Sequence, residues 1–175
     1  MIVRDADLPA DAAAILGIDR SFITDAVLKV EFGAGGGVRL RPARLATPLT
    51  KVFPLDDLTH DHRPWDKAVV AMDGARCVGF AAAGYQAWNR RLVVWHFYVD
   101  ANSRGRGVGR QLMQTLAEHG RAVGAGHLWL ESSSVNPAGA AVYRRLGFEL
   151  CGLDSWLYAA TPAEGETALF FARAL

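Results

Sequence analysis

Hydrophobic and polar positions recur along this chain with changing period, and each change marks an element. Near the N-terminus, DLPADAAAIL reads as a short helix. Asp7 stands at its cap, Pro9 lies near the first turn where a missing N–H costs little, and Gly17 ends it. Residues 26–32 (AVLKVEF) and 38–46 (VRLRPARLA) flank the glycines of GAGGG at 33–37, which predicts two short strands joined by a flexible hairpin loop. Residues 47–66 lose any period and carry Pro48, Pro54 and Pro64; they read as a surface loop of the kind that borders a site.

From residue 67 the pattern sharpens. KAVVAM and ARCVGFAAAGY form two strands across a tight Asp73–Gly74 turn, AWNRRL is the next turn, and LVVWHFYV is a strongly β-prone third strand. After SRGRGVG the period becomes helical through about residue 123. Val108, Leu112, Leu116 and Val123 share one face, and Arg110, Gln114, Glu118 and Arg121 the other. Gly124 and Gly126 end that helix. HLWLESS is a strand, and residues 137–146 are a helix closed by Gly147. Residues 148–152, 156–158 and 167–171 read as final strands. The sum is a mixed α/β (α+β) sandwich, expected as one domain over residues 1–175.

Composition acts mainly by exclusion. With 51% hydrophobic and 21% charged residues in 175, the chain is globular rather than disordered and long enough for a core without metal or disulfide staples. Nineteen Lys+Arg against eighteen Asp+Glu leave a net charge of +1, so neither nucleic acid nor membrane is an expected partner. The apolar run Leu92–Val99 is broken by His96 and falls far short of the ~18 residues of a membrane span. Acids at the N-terminus replace the basic region of a signal peptide, which makes the cytoplasm the expected location. Cys77 and Cys151 sit in apolar contexts without CxxC spacing and read as small buried residues. His60 and His62 flank Asp61 with too few ligands for a metal, and His119 and His127 read as surface residues, so no metal is expected.

Two stretches carry chemistry. Arg104-Gly105-Arg106-Gly107-Val108-Gly109 joins a β-rich run to an amphipathic helix. Its glycines allow a tight turn, the helix start offers a positive dipole end, and Arg104, Arg106 and Arg110 add charge, a combination that suits a pyrophosphate. It is neither a P-loop nor a GxGxxG fingerprint, and a solvated turn of no function fits the stretch equally well. Further on, Asn136 can cap a helix that carries Tyr143 about two turns in, followed by Gly147–Phe148. Either residue alone reads as structural.

Taken together, strand, RxxGxG, helix, strand, Asn, helix with Tyr, then GF resembles the GNAT superfamily of acyl-CoA-dependent N-acetyltransferases over about residues 68–158. The resemblance implies a GNAT fold, with a central, mostly antiparallel twisted sheet and helices on both faces. It implies acetyl-CoA as co-substrate. The turn Arg104 to Gly109, with Arg110, would hold the pyrophosphate, and Phe97, Tyr98 and Val99 would pair with the pantetheine arm. Asn136 would contact that arm, and Tyr143 would protonate the departing thiolate. A closer resemblance, to streptothricin acetyltransferases, rests on GIDRSFITDAVL, LESS with Asn136, YRRLGF, GLDSWLY and ETALFF. It implies a small-molecule amine acceptor and antibiotic resistance. The chain departs from that pattern at Trp95 and His96, where two acids are expected, and at Ser132 to Ser134, where amide-rich residues are expected.

An alkylamine with a pKa near ~10.4 is neutral in only about one molecule in a thousand at pH 7, so the reaction needs a base. His96 beside the expected thioester site and Glu131 on the next strand are both candidates, each with a structural alternative. Asp25, Trp95 and Asp154 are candidates for holding a cationic acceptor, and Trp88 shares the aromatic role with Trp95. Polyamines, aminoglycosides, and protein lysine or N-terminal amines are rival acceptors, and a non-catalytic acyl-CoA-binding module is the rival class. Terminal strands that pair between subunits leave a homodimer open.

Overall fold

The changes of period are realised as nine strands and three α-helices: β1 (Ile2–Asp5), α1 (Leu8–Leu16), β2 (Ser21–Phe32), β3 (Val38–Val52), β4 (Lys67–Asp73), β5 (Arg76–Gln86), β6 (Arg91–Val99), α2 (Val108–Ala122), β7 (His127–Ser133), α3 (Pro137–Arg145), β8 (Glu149–Asp154) and β9 (Ala168–Ala174). The computed structural model describes residues 1–175, and the chain divides into two compact units. The sheet has seven strands and is mostly antiparallel, and β2 and β3 form a separate two-stranded sheet. No helix is long and apolar enough to cross a membrane.

The first unit comprises Met1–Ser21, Val52–Leu130 and Arg173–Leu175. Its strands run in the order β1-β4-β5-β6-β7, antiparallel except for β6 with β7. Adjacent residues of β5 serve opposite faces, as the pleat requires. At Gly79 a methyl group would lie 2.8 Å from Val108 and 2.9 Å from Leu112, so glycine lets α2 approach this face. Phe80 and Ala82 instead join Ile15, Ile18, Leu55, Leu58 and Trp65 in the core beneath α1. α2 buries Val108, Leu112, Met113, Leu116 and Ala117, the stripe its period predicts, but Val123 falls past the last turn and is exposed.

Two features of β6 shape its far end. The parallel ladder with β7 runs only from Arg91↔His127 to Val94↔Leu130, while β6 continues to Val99. At the point where that ladder stops, Ala82 faces His96 and Ala83 faces Val94, so Trp95 is the extra residue of a bulge. The strand therefore leaves its parallel neighbour just before the glycine turn.

The second unit comprises Phe22–Lys51 and Glu131–Ala172. It holds the β2–β3 hairpin, the end of β7, α3, and the antiparallel pair β8–β9. Backbone bonds tie its parts together: Leu28 N–H donates to Ser134, and Ser134 N–H donates to Thr167.

Several expectations are corrected. β1 lay outside the predicted elements, and β3 runs through Pro42 and Pro48 to Val52. The segment after β3 lies largely on the surface, as expected, but it is pinned to the core: a single 3-10 turn at Asp56–Thr59 buries Leu58, and Leu55 and Trp65 are buried on either side of it. Residues 156–158 are turn rather than strand, because Asp154 Oδ1 accepts the N–H groups of Trp156 and Leu157 and bends the chain. Cys151 is exposed, being on the outward side of its strand, and only Cys77 is buried. His119 is half-buried rather than fully at the surface: its Nε2 is enclosed, and burial holds its pKa below the usual histidine value. Asp7 does not cap α1 through its side chain. Instead Asp11 reaches back to accept the Asp7 N–H at 2.8 Å while Arg4 grips its carboxylate with two nitrogens.

Candidate active site

In the first unit, β6 delivers the chain into the glycine turn. Asp100, 1% exposed, governs that exit: its Oδ1 accepts from Arg76 and from the Asn102 N–H, and its Oδ2 accepts from the Asp19 N–H. Gly105 and Gly107 then adopt φ of 77° and 84°, left-handed values that a side chain would strain, and both face open space where a Cβ would project. α2 starts at Val108 with no acid in its first turn, and Gln111 makes the first bond back to Gly107. The opening amides of the helix thus point away from any intrahelical carbonyl, at the positive end of its dipole.

Of the residues expected to hold the cofactor, Phe97, Val99, Arg104, Arg106 and Arg110 lie on or beside this turn. A methyl group at Gly109 would sit 3.1 Å from the Phe97 ring and 3.6 Å from Val99, so that face of β6 packs directly on the helix start. Arg104 is committed to backbone: Nε donates to Val99 O at 3.2 Å and Nη2 to Ser21 O at 2.7 Å. Arg106 reaches Asp73 at 3.3 Å in an exposed contact, and Arg110 is exposed. Such surface pairs contribute about 0–1 kcal/mol, so Arg106 stays available to an anion.

His96 and Tyr98 occupy the opposite face. His96 Nδ1 lies 3.0 Å from the Tyr98 hydroxyl, and Nε2 lies 2.8 Å from Asp57 Oδ1. The ring packs against Trp65, Phe80 and Tyr98. Burial would raise the Asp57 pKa, but the hydrogen bonds from His96 and Trp65 outweigh it and leave the carboxyl below its usual value. Trp95, in the bulge, is 45% exposed, and Trp88 is more exposed still.

In the second unit, the three serines after Glu131 are buried. Ser133 Oγ donates to Glu166, which also holds Lys51 in a largely buried ion pair. Ser134 Oγ accepts the Thr167 N–H at 3.0 Å. Glu131 accepts the Tyr158 hydroxyl. Although Glu131 reaches solvent, the protein packed about its carboxyl and the nearby Glu166 charge raise its pKa against the pull of Tyr158 and Lys51. Asn136 caps α3, its Oδ1 accepting the Gly139 N–H at 2.9 Å, which leaves its amide nitrogen as a donor. Tyr143 packs against Phe148 and Phe171. Its enclosed phenol is pushed up to about 12 by burial and by the Glu131 charge, with Ser132 pulling the other way. A phenol so far above neutrality keeps its proton and can donate it.

The remaining candidates are placed elsewhere. Asp25 is exposed, 3.8 Å from Arg44. Asp154 is spent on its turn. No group of three or more His, Cys, Asp or Glu residues is arranged to hold a metal. Sequence reasoning missed Asp57, Asp100, Lys51, Tyr158 and Glu166. Asp100 carried a readable signal, an acid directly after a β run and before a turn; the other four depend on partners distant in sequence.

The pattern of the Acetyltransferase (GNAT) family matches residues 40–148. The chain belongs to the GNAT family. This GNAT chain is therefore an acyl-CoA-dependent N-acetyltransferase. It is 45% identical over 170 residues to the streptothricin acetyltransferase of Streptomyces lavendulae, covering 93% of this chain and 89% of that protein. A crystal structure of nourseothricin acetyltransferase superposes with a TM-score of 0.87 at 43% identity, over 99% of this chain and 97% of that one. A putative streptothricin acetyltransferase from Bacillus anthracis str. Ames, in complex with acetyl coenzyme A, shares the fold, with a TM-score of 0.84 at 20% identity and 99% of each chain covered.

Proposed function

We propose that this GNAT enzyme acetylates a primary amine of a streptothricin-type antibiotic, in the cytoplasm where acetyl-CoA is made, and so confers resistance. The near full-length 45% identity to a streptothricin acetyltransferase carries this reading of the acceptor. Residues 1–175 act as one catalytic domain.

The residues present suit acetyl-CoA. The open left-handed glycines and the acid-free start of α2 support a pyrophosphate cradle, in which Gly105, Gly107, Val108 and Gly109 would face the ligand and Arg106 and Arg110 would add charge. Phe97 to Val99 line the pantetheine arm, and the Asn136 amide nitrogen donates to it. Acetyl-CoA supplies the activated acyl group. What the chain adds is proton management. Glu131, with its raised pKa, is a stronger proton acceptor than an ordinary carboxylate and takes the proton of the acceptor ammonium. Tyr143, protonated at any working pH, donates to the departing thiolate. Trp95 presents an exposed indole face to a cationic acceptor.

The test is thiol release from acetyl-CoA with streptothricin, run beside spermidine, a lysine peptide and an aminoglycoside. Saturable release with streptothricin is expected. Release only with another amine would keep the family and overturn the acceptor.

A further inference from the structure

The strongest unexplained feature is a chain of hydrogen bonds on the face of β6 away from the glycine turn. Trp65 Nε1 donates to Asp57 Oδ2 at 2.8 Å, His96 Nε2 lies 2.8 Å from Asp57 Oδ1, His96 Nδ1 lies 3.0 Å from the Tyr98 hydroxyl, and that hydroxyl donates to Pro54 O at 2.9 Å. Counting protons along it is informative. Asp57, an ionised carboxylate, can only accept, so Nε2 must donate. The Tyr98 hydroxyl has one proton, and Pro54 O takes it, so Tyr98 oxygen must accept from Nδ1. Both ring nitrogens are then donors, which describes an imidazolium. A neutral His96 breaks the chain: Tyr98 must turn its proton to Nδ1 and release Pro54.

We propose that Asp57, His96 and Tyr98 form a proton-dependent clamp that fixes the Pro54–Trp65 segment to β6, with His96 a positioning residue that holds two protons when the clamp is closed. The surroundings fit this role. His96 is wedged among Trp65, Phe80 and Tyr98, and Tyr98 stacks on Phe53. Asp57 is the acid that faces the imidazole. Arg63 is held off, with its guanidinium 4.6 Å over the Trp65 ring and Nη1 bonded to Leu58 O. From β5 and α1, Ile15, Phe80, Ala82 and the buried Cys77 join this cluster, and Arg4, Asp11 and Asp100 are the charged groups close enough to act on Cys77. The clamp also answers a mechanical need. Beyond Val94 the strand has lost its parallel neighbour, and Trp95 bulges out of register with β5. A side-chain tether at His96 and Tyr98 restores rigidity to the stretch that our functional reading assigns to the pantetheine arm, and the functional half of the proposal rests on that reading.

The experiment follows the two ring nitrogens of His96 by ¹⁵N NMR against pH in the enzyme without substrates, in the wild type, Tyr98→Phe and Asp57→Asn. In the clamp, the Tyr98 oxygen accepts from the imidazolium, so Tyr98→Phe lowers the His96 titration midpoint by about one pH unit. Asp57→Asn lowers it too. In the opposite arrangement Tyr98 donates to the neutral ring, and Tyr98→Phe raises the midpoint. A raised or unmoved midpoint overturns the clamp. The second readout is kcat/KM for the acceptor against pH. It is expected to fall roughly three- to tenfold as His96 loses its proton, with the midpoint moving as the NMR midpoint moves in Tyr98→Phe. A profile that ignores the NMR midpoint overturns the positioning role. Failure of the assigned acceptor is separately visible, because the NMR measurement needs no substrate.

Discussion

Gly107 offers a direct test of how backbone geometry makes the cofactor turn. Its φ of 84° and ψ of 0° lie in the left-handed region, and a Cβ there would meet no atom within 4 Å. Any penalty for Gly107→Ala is therefore backbone strain alone, about 1–2 kcal/mol, offset by about 0.4–1 kcal/mol from the restricted unfolded chain. The net loss is about 1 kcal/mol, which lowers Tm by about 2–4 °C in a chain of this size. Asparagine tolerates this region better than alanine, and β-branched valine worse, so the order of Tm is expected to be Gly, Asn, Ala, Val. Thermal melts of the four proteins, without ligand and with coenzyme A, supply the measurement. At about 100 times Kd, a ligand adds about 2.7 kcal/mol, or about 5–11 °C, to the parent. The strained variants tilt the first amides of α2 and should lose about half of that rise or more. An alanine variant as stable as the parent, or valine no worse than asparagine, would refute the strain argument. A full coenzyme A shift in all four would refute the cradle.

Four further outcomes follow from other contacts. Tyr143→Phe should keep the packing on Phe148 and Phe171 and lower Tm by no more than about 4 °C, while kcat falls by roughly 10²–10⁴-fold in the thiol-release assay. Glu131 has its pKa raised on folding, so it favours the protonated form and lends stability below the ordinary glutamate range, lost as pH rises through the folded value. Glu131→Gln should therefore melt no lower than the parent at pH 7 yet lose the acid limb of kcat/KM. Asp11 shows the opposite sign: Arg4 holds its pKa down, so its contribution is present above the ordinary aspartate range and lost as pH falls through the folded value. Asp11→Asn should narrow the gap between urea midpoints at pH 7 and at low pH. Gly84→Ala would place a methyl group 2.3 Å from the Pro64 carbonyl oxygen, a backbone atom that cannot rotate away. It should cost about 3 kcal/mol or more and show as a urea midpoint well below the parent's.

Local signals were legible wherever the residue itself imposed the geometry. Gly74 at φ 61° makes the β4–β5 turn, the amphipathic stripe from Val108 to Ala117 makes α2, and Asn136 before Pro137 makes the α3 cap, and each was readable from a few neighbouring letters. β1 was not, because four residues become a strand only by pairing with β4 some seventy positions away. Residues 156–158 misled for the reverse reason: Trp, Leu and Tyr favour strands, but a single Asp154 oxygen binding two amides overrides that preference. The site divides along the same line. The glycine turn and Tyr143 could be named from motif and resemblance, whereas the partner of His96 lies in a segment whose prolines suggested only exposed loop. Nothing in the sequence near Lys51 announces Glu166.

The long hairpin has a bearing on solubility. β3 belongs to a two-stranded sheet and spans 15 residues, enough ladder to recruit a strand from another molecule. Pro42 and Pro48 stand an even number of residues apart, so their missing N–H groups fall on the same side of the strand. A proline has no N–H to give, so each leaves a gap in the strand's row of donors. Arg39, Arg41 and Arg44 crowd the same stretch with charge. The two prolines act as gatekeepers against edge-to-edge aggregation: they cost the hairpin little and deny a second chain a continuous seam.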